Sequence, residues 1–315
     1  MIIEKEANKK NTSRINELFY SKARLGMNDV INEMYKKGLV DKVLLPGYIG
    51  WSPREGSGIF DSISSIHGIT IDYYKMKTDL MIDSEDLLER IDGEKTLVLI
   101  VNYFGFRDPD FSRIIGQTKA KRAWIMEDNA HGFFTWHEND PTCADIVVFS
   151  LHKMFPFAKG GSIILQNELL AELELHGEKT PCEQSNPYSY HIYHISKIRR
   201  ENYIKLHKLL RTAEEENILY PLRDISFIEN CVPQTYPVVL KIGNRDKIYE
   251  LMNDSGYGVV SLYHTLIDPL QNEEYQVSLD LSKKIMNLPV HQDIDASRYP
   301  EMVSLLIEFC KKTQV

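Results

Sequence analysis

The chain has no long apolar run, no paired cysteines and no surplus of positive charge, and each shortage closes off a class of function. Its longest hydrophobic stretches, TLVLIVNYFGF and DIVVF, fall well short of the roughly 20 residues needed to cross a bilayer, so no membrane association is expected. Cys143, Cys182, Cys231 and Cys310 are scattered without C-x-x-C spacing, and the opening MIIEKEANKKNTS is polar where a secretory signal would be apolar. Reduced thiols in a cytoplasmic protein are the expectation. Lys and Arg total 37 against 45 Asp and Glu, a net charge of −8, and no basic stripe stands out to displace counterions from a phosphate backbone. Nucleic acid polymers are therefore not expected as partners. No internal repeat or low-complexity tract interrupts the chain.

What is present is an ordinary globular composition, 43% hydrophobic and 26% charged over 315 residues, enough for one large core with a smaller appendage. Short runs rich in Val, Ile and Leu recur: KVLLPGY, GITIDYY, TLVLIVNYFG, RAWIMEDN, DIVVFSLH and GGSIIL. Continuous apolar runs of this length suit strands buried on both faces. The segments between them, such as DSEDLLERI and DFSRIIGQTKAK, carry helical periodicity. This alternation predicts an α/β fold with a mostly parallel, helix-covered sheet over residues 1–185. From 186 to 315 the pattern predicts one long amphipathic helix and then a smaller α+β domain, with QTYPVVLKI and VVSLYHTLI as strands around the helix KIYELMNDSG.

In such a sheet, ligands bind beyond the carboxyl ends of the strands. WIMEDNAHG closes one strand with Glu127 and Asp128 and places His131 three residues on; VVFSLHK closes another with Ser150, His152 and Lys153. VLLPGYIGW supplies Tyr48 and Trp51, and LIVNYFG supplies Asn102. An acid at one strand end and a lysine 25 residues later (153 − 128) at another suit pyridoxal phosphate. The lysine would form a Schiff base with the cofactor, and the carboxylate would keep its ring nitrogen protonated. Alone, a strand-end lysine is more often solvated or salt-bridged, and an aspartate at that place could cap a helix. It is their order, acid motif first and glycine pair last, that points to chemistry. His191 and His194, interleaved with Tyr188, Tyr190 and Tyr193, match no metal-ligand spacing, so no metal is expected.

MEDNAHG followed by FSLHKMFPFAKGGSIIL, with KVLLPGY upstream and LSKKIMNLPVHQD near the end, resembles the DegT/DnrJ/EryC1/StrS family of sugar aminotransferases, in order from about Phe19 to Asp293. The resemblance implies a fold-type I pyridoxal phosphate enzyme. It implies transfer of an amino group from an amino acid donor, glutamate being typical, to a keto-sugar acceptor linked to a nucleotide, in polysaccharide or glycan precursor biosynthesis. It also implies a homodimer with the active site at the subunit interface. Carried over residue by residue, Asp128 pairs with the ring nitrogen, His131 lies beside the ring, Ser150 contacts the phosphate and Lys153, seven residues before Gly160, is the Schiff-base residue. FYSKARLGM aligns with the phosphate-holding helix start, which places Ser21, Ala23 and Arg24 at the phosphate. Tyr48 or Trp51 would stack on the ring, and Asn102 ends the neighbouring strand.

The sequence also departs from the family pattern. Two residues are missing between FS and the lysine, and Lys159 replaces the glutamate that usually precedes the glycine pair. S-K-A-R stands for S-G-T, and Asn186 and Tyr190 are the nearest approach to an N-Y-R segment. These departures motivate a second expectation, a non-catalytic relative acting as a binding or scaffold protein. A third is a sugar dehydratase of the same family, against which Lys153 speaks because that branch carries histidine there. A fourth is an α/β enzyme that uses Lys153 without a cofactor.

Overall fold

In the computed structural model, which describes residues 16–53, 56–139 and 143–314, ten strands and nine helices alternate along the chain. The strands are β1 (Glu17–Tyr20), β2 (Lys42–Pro46), β3 (Thr70–Tyr74), β4 (Thr96–Val101), β5 (Trp124–Asp128), β6 (Ile146–Phe149), β7 (Gly161–Leu165), β8 (Leu219–Pro221), β9 (Thr235–Leu240) and β10 (Ile285–Pro289). The helices are α1 (Ala23–Lys36), α2 (Phe60–Ser64), α3 (Ser84–Glu89), α4 (Phe111–Ala120), α5 (Phe133–Glu138), α6 (Ile192–Glu215), α7 (Arg245–Asp254), α8 (Gln276–Ser282) and α9 (Tyr299–Lys312).

Seven strands form one sheet in the order β1-β7-β6-β5-β4-β2-β3, and β8, β9 and β10 form a second in the order β10-β9-β8. Strands β2 to β6 run parallel to one another, while β7 pairs antiparallel with β6, and β1 with β7. The expected mostly parallel, helix-covered sheet is present. Its central strands show why the apolar runs are continuous: every residue of β6 is buried, and in β4 all but the last. With both faces covered, no position of such a strand tolerates a solvated polar side chain. Chain order reverses across the sheet between β2 and β4, because β3 lies on one side of β2 and β4 on the other. Strand ends beside such a reversal open the crevice in which α/β proteins place ligands.

Helix α1 covers the β7 side of the sheet. Met27, Val30, Ile31 and Met34 recur at helical spacing and are all buried. Burying each contributes roughly 1.5–3 kcal/mol. The glycine pair makes this packing possible. A β-carbon on Gly161 would lie 2.3 Å from the backbone nitrogen of Ala23, and one on Gly26 would lie 2.6 Å from the Ile163 side chain. The start of α1 therefore abuts the start of β7 only because residue 161 has no side chain.

The second sheet joins the first through α6 and through a strap formed by residues 259–267. Arg199 of α6 is buried and donates to the carbonyls of Met154, Pro233 and Gln234 and to Gln292 Oε1, with Phe134 under its guanidinium at 5.0 Å. Burial lowers its pKa to about 10, partly offset by Asp293, so it stays a cation across the physiological range. The strap differs from the strand expected for VVSLYHTLI. It makes only single bridges, Val260 to Asn287 and Leu266 to Gly50, and Tyr263 within it takes φ 59°. Its backbone bonds run to two partners: Val260 pairs with Asn287 of β10, while Thr265 O accepts from Trp51 N and Ile267 N donates to Ile49 O. A segment shared between two neighbours cannot keep one ladder, which is why the strand pattern does not become a strand.

Gly161→Ala should destabilise the protein by about 3 kcal/mol, since the added methyl meets backbone rather than a side chain that could move away. Urea unfolding of the variant measures this; an unchanged midpoint would show that α1 can retreat from β7 at no cost.

Candidate active site at the carboxyl ends of the parallel strands

A cleft of about 660 Å³ opens beyond the ends of β2, β5 and β6, and its walls include Asp128, Ser150, His152 and Lys153. Asp128 is the last residue of β5, in register with Val101 of β4 and Val148 of β6, so parallel neighbours flank it on both sides. It is 3% exposed, and its Oδ1 accepts the Ala130 N–H at 2.7 Å. Burial pushes its carboxyl pKa up; the Ala130 N–H and the charge of Lys153 oppose the rise, and Glu127 adds to it. Side-chain alternation turns Glu127 to the other face of the sheet, where it accepts from Asn102 at 2.7 Å and Arg107 at 3.4 Å.

Lys153 ends the short turn Leu151–Lys153 that follows β6. The turn is tied back by Leu151 N to Gly160 O at 3.0 Å and Lys153 N to Ser150 O at 3.2 Å. The lysine is therefore no buried cation at a strand end. It is an exposed side chain facing the cleft, with Nζ 3.2 Å from His131 Nε2. His131 is buried, stacks on Phe104 with ring centroids 6.0 Å apart, and accepts the Phe104 N–H at Nδ1 at 3.2 Å. Burial, and then the charge of Lys153, hold its pKa well below the ordinary imidazole value.

The start of α1 forms another wall, with Lys22, Ala23 and Arg24 lining the cleft. Lys22 occupies the N-cap in an extended conformation and gives no side-chain cap, so the first backbone N–H groups of α1 have no capping side chain to satisfy them. Ser150 is buried at the cleft wall with its Oγ 3.3 Å from His152 Nδ1. Among the residues singled out in the sequence, the structure gathers Ala23, Arg24, Trp51, Asp128, Ser150 and Lys153 on this cleft, with His131 behind Lys153.

Three of the expected site residues lie elsewhere. Ser21 is exposed and does not line the cleft. Tyr48 is fully buried edge-on against Tyr103 at 5.5 Å and is not a cleft wall, so it cannot offer a ring face there. Asn102 is also buried, its amide nitrogen engaged by Glu127 and by Asn129 Oδ1 at 2.8 Å, and it supports the floor from behind. Trp51 stays at the rim, 44% exposed.

The aromatic that sequence reasoning missed is Tyr263. It lines the cleft and packs among Tyr48, Tyr103, Phe104 and His131 at centroid distances of 5.5, 5.6, 6.4 and 5.9 Å. A β-carbon on Gly50 would sit 2.5 Å from its ring. The signal in the sequence is the side-chain gap at Gly50 between Tyr48 and Trp51, but nothing local says which ring fills it.

The chemistry of these groups fits pyridoxal phosphate. A buried carboxylate whose charge burial disfavours would be stabilised by a protonated ring nitrogen placed against it, a cleft-facing lysine matches an aldehyde carbon, and the amides of a 14-residue helix match a phosphate. Among the described residues no helix is long and apolar enough to cross a membrane, and no group of three or more His, Cys, Asp or Glu could hold a metal ion.

Residues 71–192 match the DegT/DnrJ/EryC1/StrS aminotransferase family, which bears out the resemblance drawn from the sequence. No curated protein matches the chain. Among solved structures, the aminotransferase TlmJ from Streptoalloteichus hindustanus is 15% identical, with a TM-score of 0.72 over 94% of this chain and 86% of that one. The sugar aminotransferase CalS13 from Micromonospora echinospora is 12% identical, with a TM-score of 0.70 over 93% and 87%. The E. coli GDP-4-keto-6-deoxy-D-mannose-3-dehydratase with bound hydrated PLP is 14% identical, with a TM-score of 0.69 over 92% and 87%. At such identities the likeness is one of fold, and the fold is that of the fold-type I enzymes.

A carboxyl whose folded pKa is raised holds its proton more tightly in the folded state, so its stabilising share is present at low pH and lost as pH rises through the folded pKa. Cofactor-free Asp128→Asn should therefore be more stable than the parent at neutral pH by on the order of 1 kcal/mol, the gain shrinking toward acid pH. Urea unfolding at several pH values tests this; a less stable variant at neutral pH would mean that attraction to Lys153 outweighs burial.

Proposed function

We propose, for a chain that carries the DegT/DnrJ/EryC1/StrS aminotransferase family signature over residues 71–192, that it is a pyridoxal phosphate-dependent aminotransferase acting on a keto-sugar. The observation that carries this reading is the convergence of Asp128, Lys153 and the first turn of α1 on one cleft. When bound, the cofactor supplies an electron sink for the carbon that loses its proton. The chain supplies the rest. Lys153 holds the aldehyde carbon and afterwards moves the proton at the substrate carbon, its amine lying 3.2 Å from His131 Nε2. Asp128 keeps the ring nitrogen protonated. Ser150 and the amides of Ala23 and Arg24 receive the phosphate.

The donor in this reading is an amino acid, glutamate first. The acceptor is a nucleotide-linked keto-sugar used in polysaccharide or glycan precursor biosynthesis. In support, Lys22, Arg24 and Lys159 all line the cleft and would complement a diphosphate. We place the protein in the cytoplasm as a homodimer with the cleft at the subunit interface. The four cysteines are free, and Leu25 and Trp51 leave apolar surface beside the cleft, 50% and 44% exposed. Keto-sugar dehydration is the competing reading, favoured by His152, which lines the same cleft.

The test is the absorbance of the purified protein with added pyridoxal phosphate. A visible band that disappears in Lys153→Ala and is bleached by glutamate is the expected result. No band with Lys153 intact would overturn the enzyme reading in favour of a scaffold. Cofactor bleaching followed by a deoxygenated rather than an aminated sugar would favour the dehydratase.

A further inference from the structure

Two aromatic residues, Trp51 and Tyr263, line the cleft that also holds Asp128 and Lys153. They reach it from different parts of the chain, Trp51 from the loop after β2 and Tyr263 from the strap after α7. Their settings differ. Trp51 stays at the rim, 44% exposed. Tyr263 is half-buried, in ring contact with His131 at 5.9 Å, and its phenol feels the charge of Asp128. It therefore stands at the inner end of the cleft, near the acid and beside the imidazole that lies against Lys153.

Several constraints set the ring there. Tyr263 takes φ 59°, a conformation that side-chain-bearing residues rarely adopt and that persists only where the surroundings hold it. They do so on both sides of it: Val260 N donates to Asn287 O at 3.0 Å before it, and Thr265 O accepts from Trp51 N at 2.9 Å after it. Gly50 leaves the space, since a β-carbon there would sit 2.5 Å from the ring and 2.9 Å from the Tyr263 Cα. Tyr48, Tyr103 and Phe104 pack around the ring at interplanar angles of 54°, 85° and 64°, so none of the three lies parallel to it.

Burial, with the charge of Asp128 adding to it, pushes the phenol pKa up, so this wall stays neutral across the physiological range. A neutral aromatic surface near a buried acid suits a flat heteroaromatic ring whose nitrogen that acid holds, because ring contacts add to the gain from burying their area. We infer that Tyr263 supplies the aromatic contact for the cofactor's ring, the role expected of Tyr48 or Trp51, and so positions that ring for Asp128 and Lys153. A site built on the large sheet thus takes one wall from the strap of the smaller domain. Tyr263 acts by position alone; the proton transfers stay with Lys153.

This inference rests on the pyridoxal phosphate reading and assigns a residue within it. Pyridoxal phosphate itself is the probe, titrated into the full chain and followed by its visible absorbance and by the circular dichroism of that band. Tyr263→Ala should weaken binding about tenfold and diminish the dichroism, which reports the asymmetric surroundings of the bound ring. Tyr263→Leu, which fills much of the same space without an aromatic ring, guards against loss through misfolding and should weaken binding severalfold. Tyr263→Phe should keep both signals within about twofold, and Trp51→Ala should cost less than Tyr263→Leu. Unchanged binding and dichroism in Tyr263→Leu, or an equal loss in Tyr263→Phe, would overturn the inference and leave the enzyme reading in place. A larger loss in Trp51→Ala than in Tyr263→Leu would overturn it too, moving the contact to the rim. No cofactor uptake by the parent chain would overturn the enzyme reading and this inference together.

Discussion

A carboxyl group removed from water at the end of a strand with parallel neighbours on both sides is the constraint around which this structure is arranged. Asp128 cannot turn outward, because β4 and β6 hold its backbone in register and the cleft is the only direction its side chain can face. Its cost as an anion is met locally by one amide hydrogen and by the charge of a lysine that reaches in from the next strand end. That need fixes the neighbours. The turn after β6 must deliver Lys153 into the cleft, Gly160 must accept the Leu151 N–H that shapes the turn, and His131 lies against the lysine amine.

The glycine pair then serves two purposes in consecutive residues. Gly160, at φ 148°, closes the loop that carries Lys153, and Gly161 opens β7 while leaving room for the first turn of α1. The lysine and the helix start thus share an anchor. A shift of β7 would move both together, which keeps their separation constant even if the sheet flexes.

Much of this was legible in the sequence, for physical reasons that differ from element to element. The parallel strands are recognisable because burial on both faces leaves continuous apolar runs, as in TLVLIV and IVVF. Asp128 and Lys153 stand out because strand ends are the places where a sheet of this kind exposes polar side chains to a shared crevice. What failed depended on direction or on distant partners. Nothing in KVLLPGYIGW says that Tyr48 turns inward against Tyr103 while Trp51 turns to the rim. Asn102 reads as a strand-end polar group facing a ligand, yet its amide is claimed by Glu127 and Asn129. VVSLYHTLI has the composition of a strand, and only its two competing partners, β10 and the loop after β2, explain why it is a strap. Tyr263 fills the space left by Gly50, a pairing between residues too far apart in the chain for any local pattern to reveal.

That pairing also has a meaning in time. All seven strands of the large sheet lie between residues 17 and 165, whereas the ring that completes the aromatic wall arrives with residue 263. During synthesis the amino-terminal portion leaves the ribosome first and domains fold in that order. The nascent sheet can therefore present Lys153 while the cleft still lacks a wall, and a chain cut short before the strap would carry an amine open to any passing aldehyde.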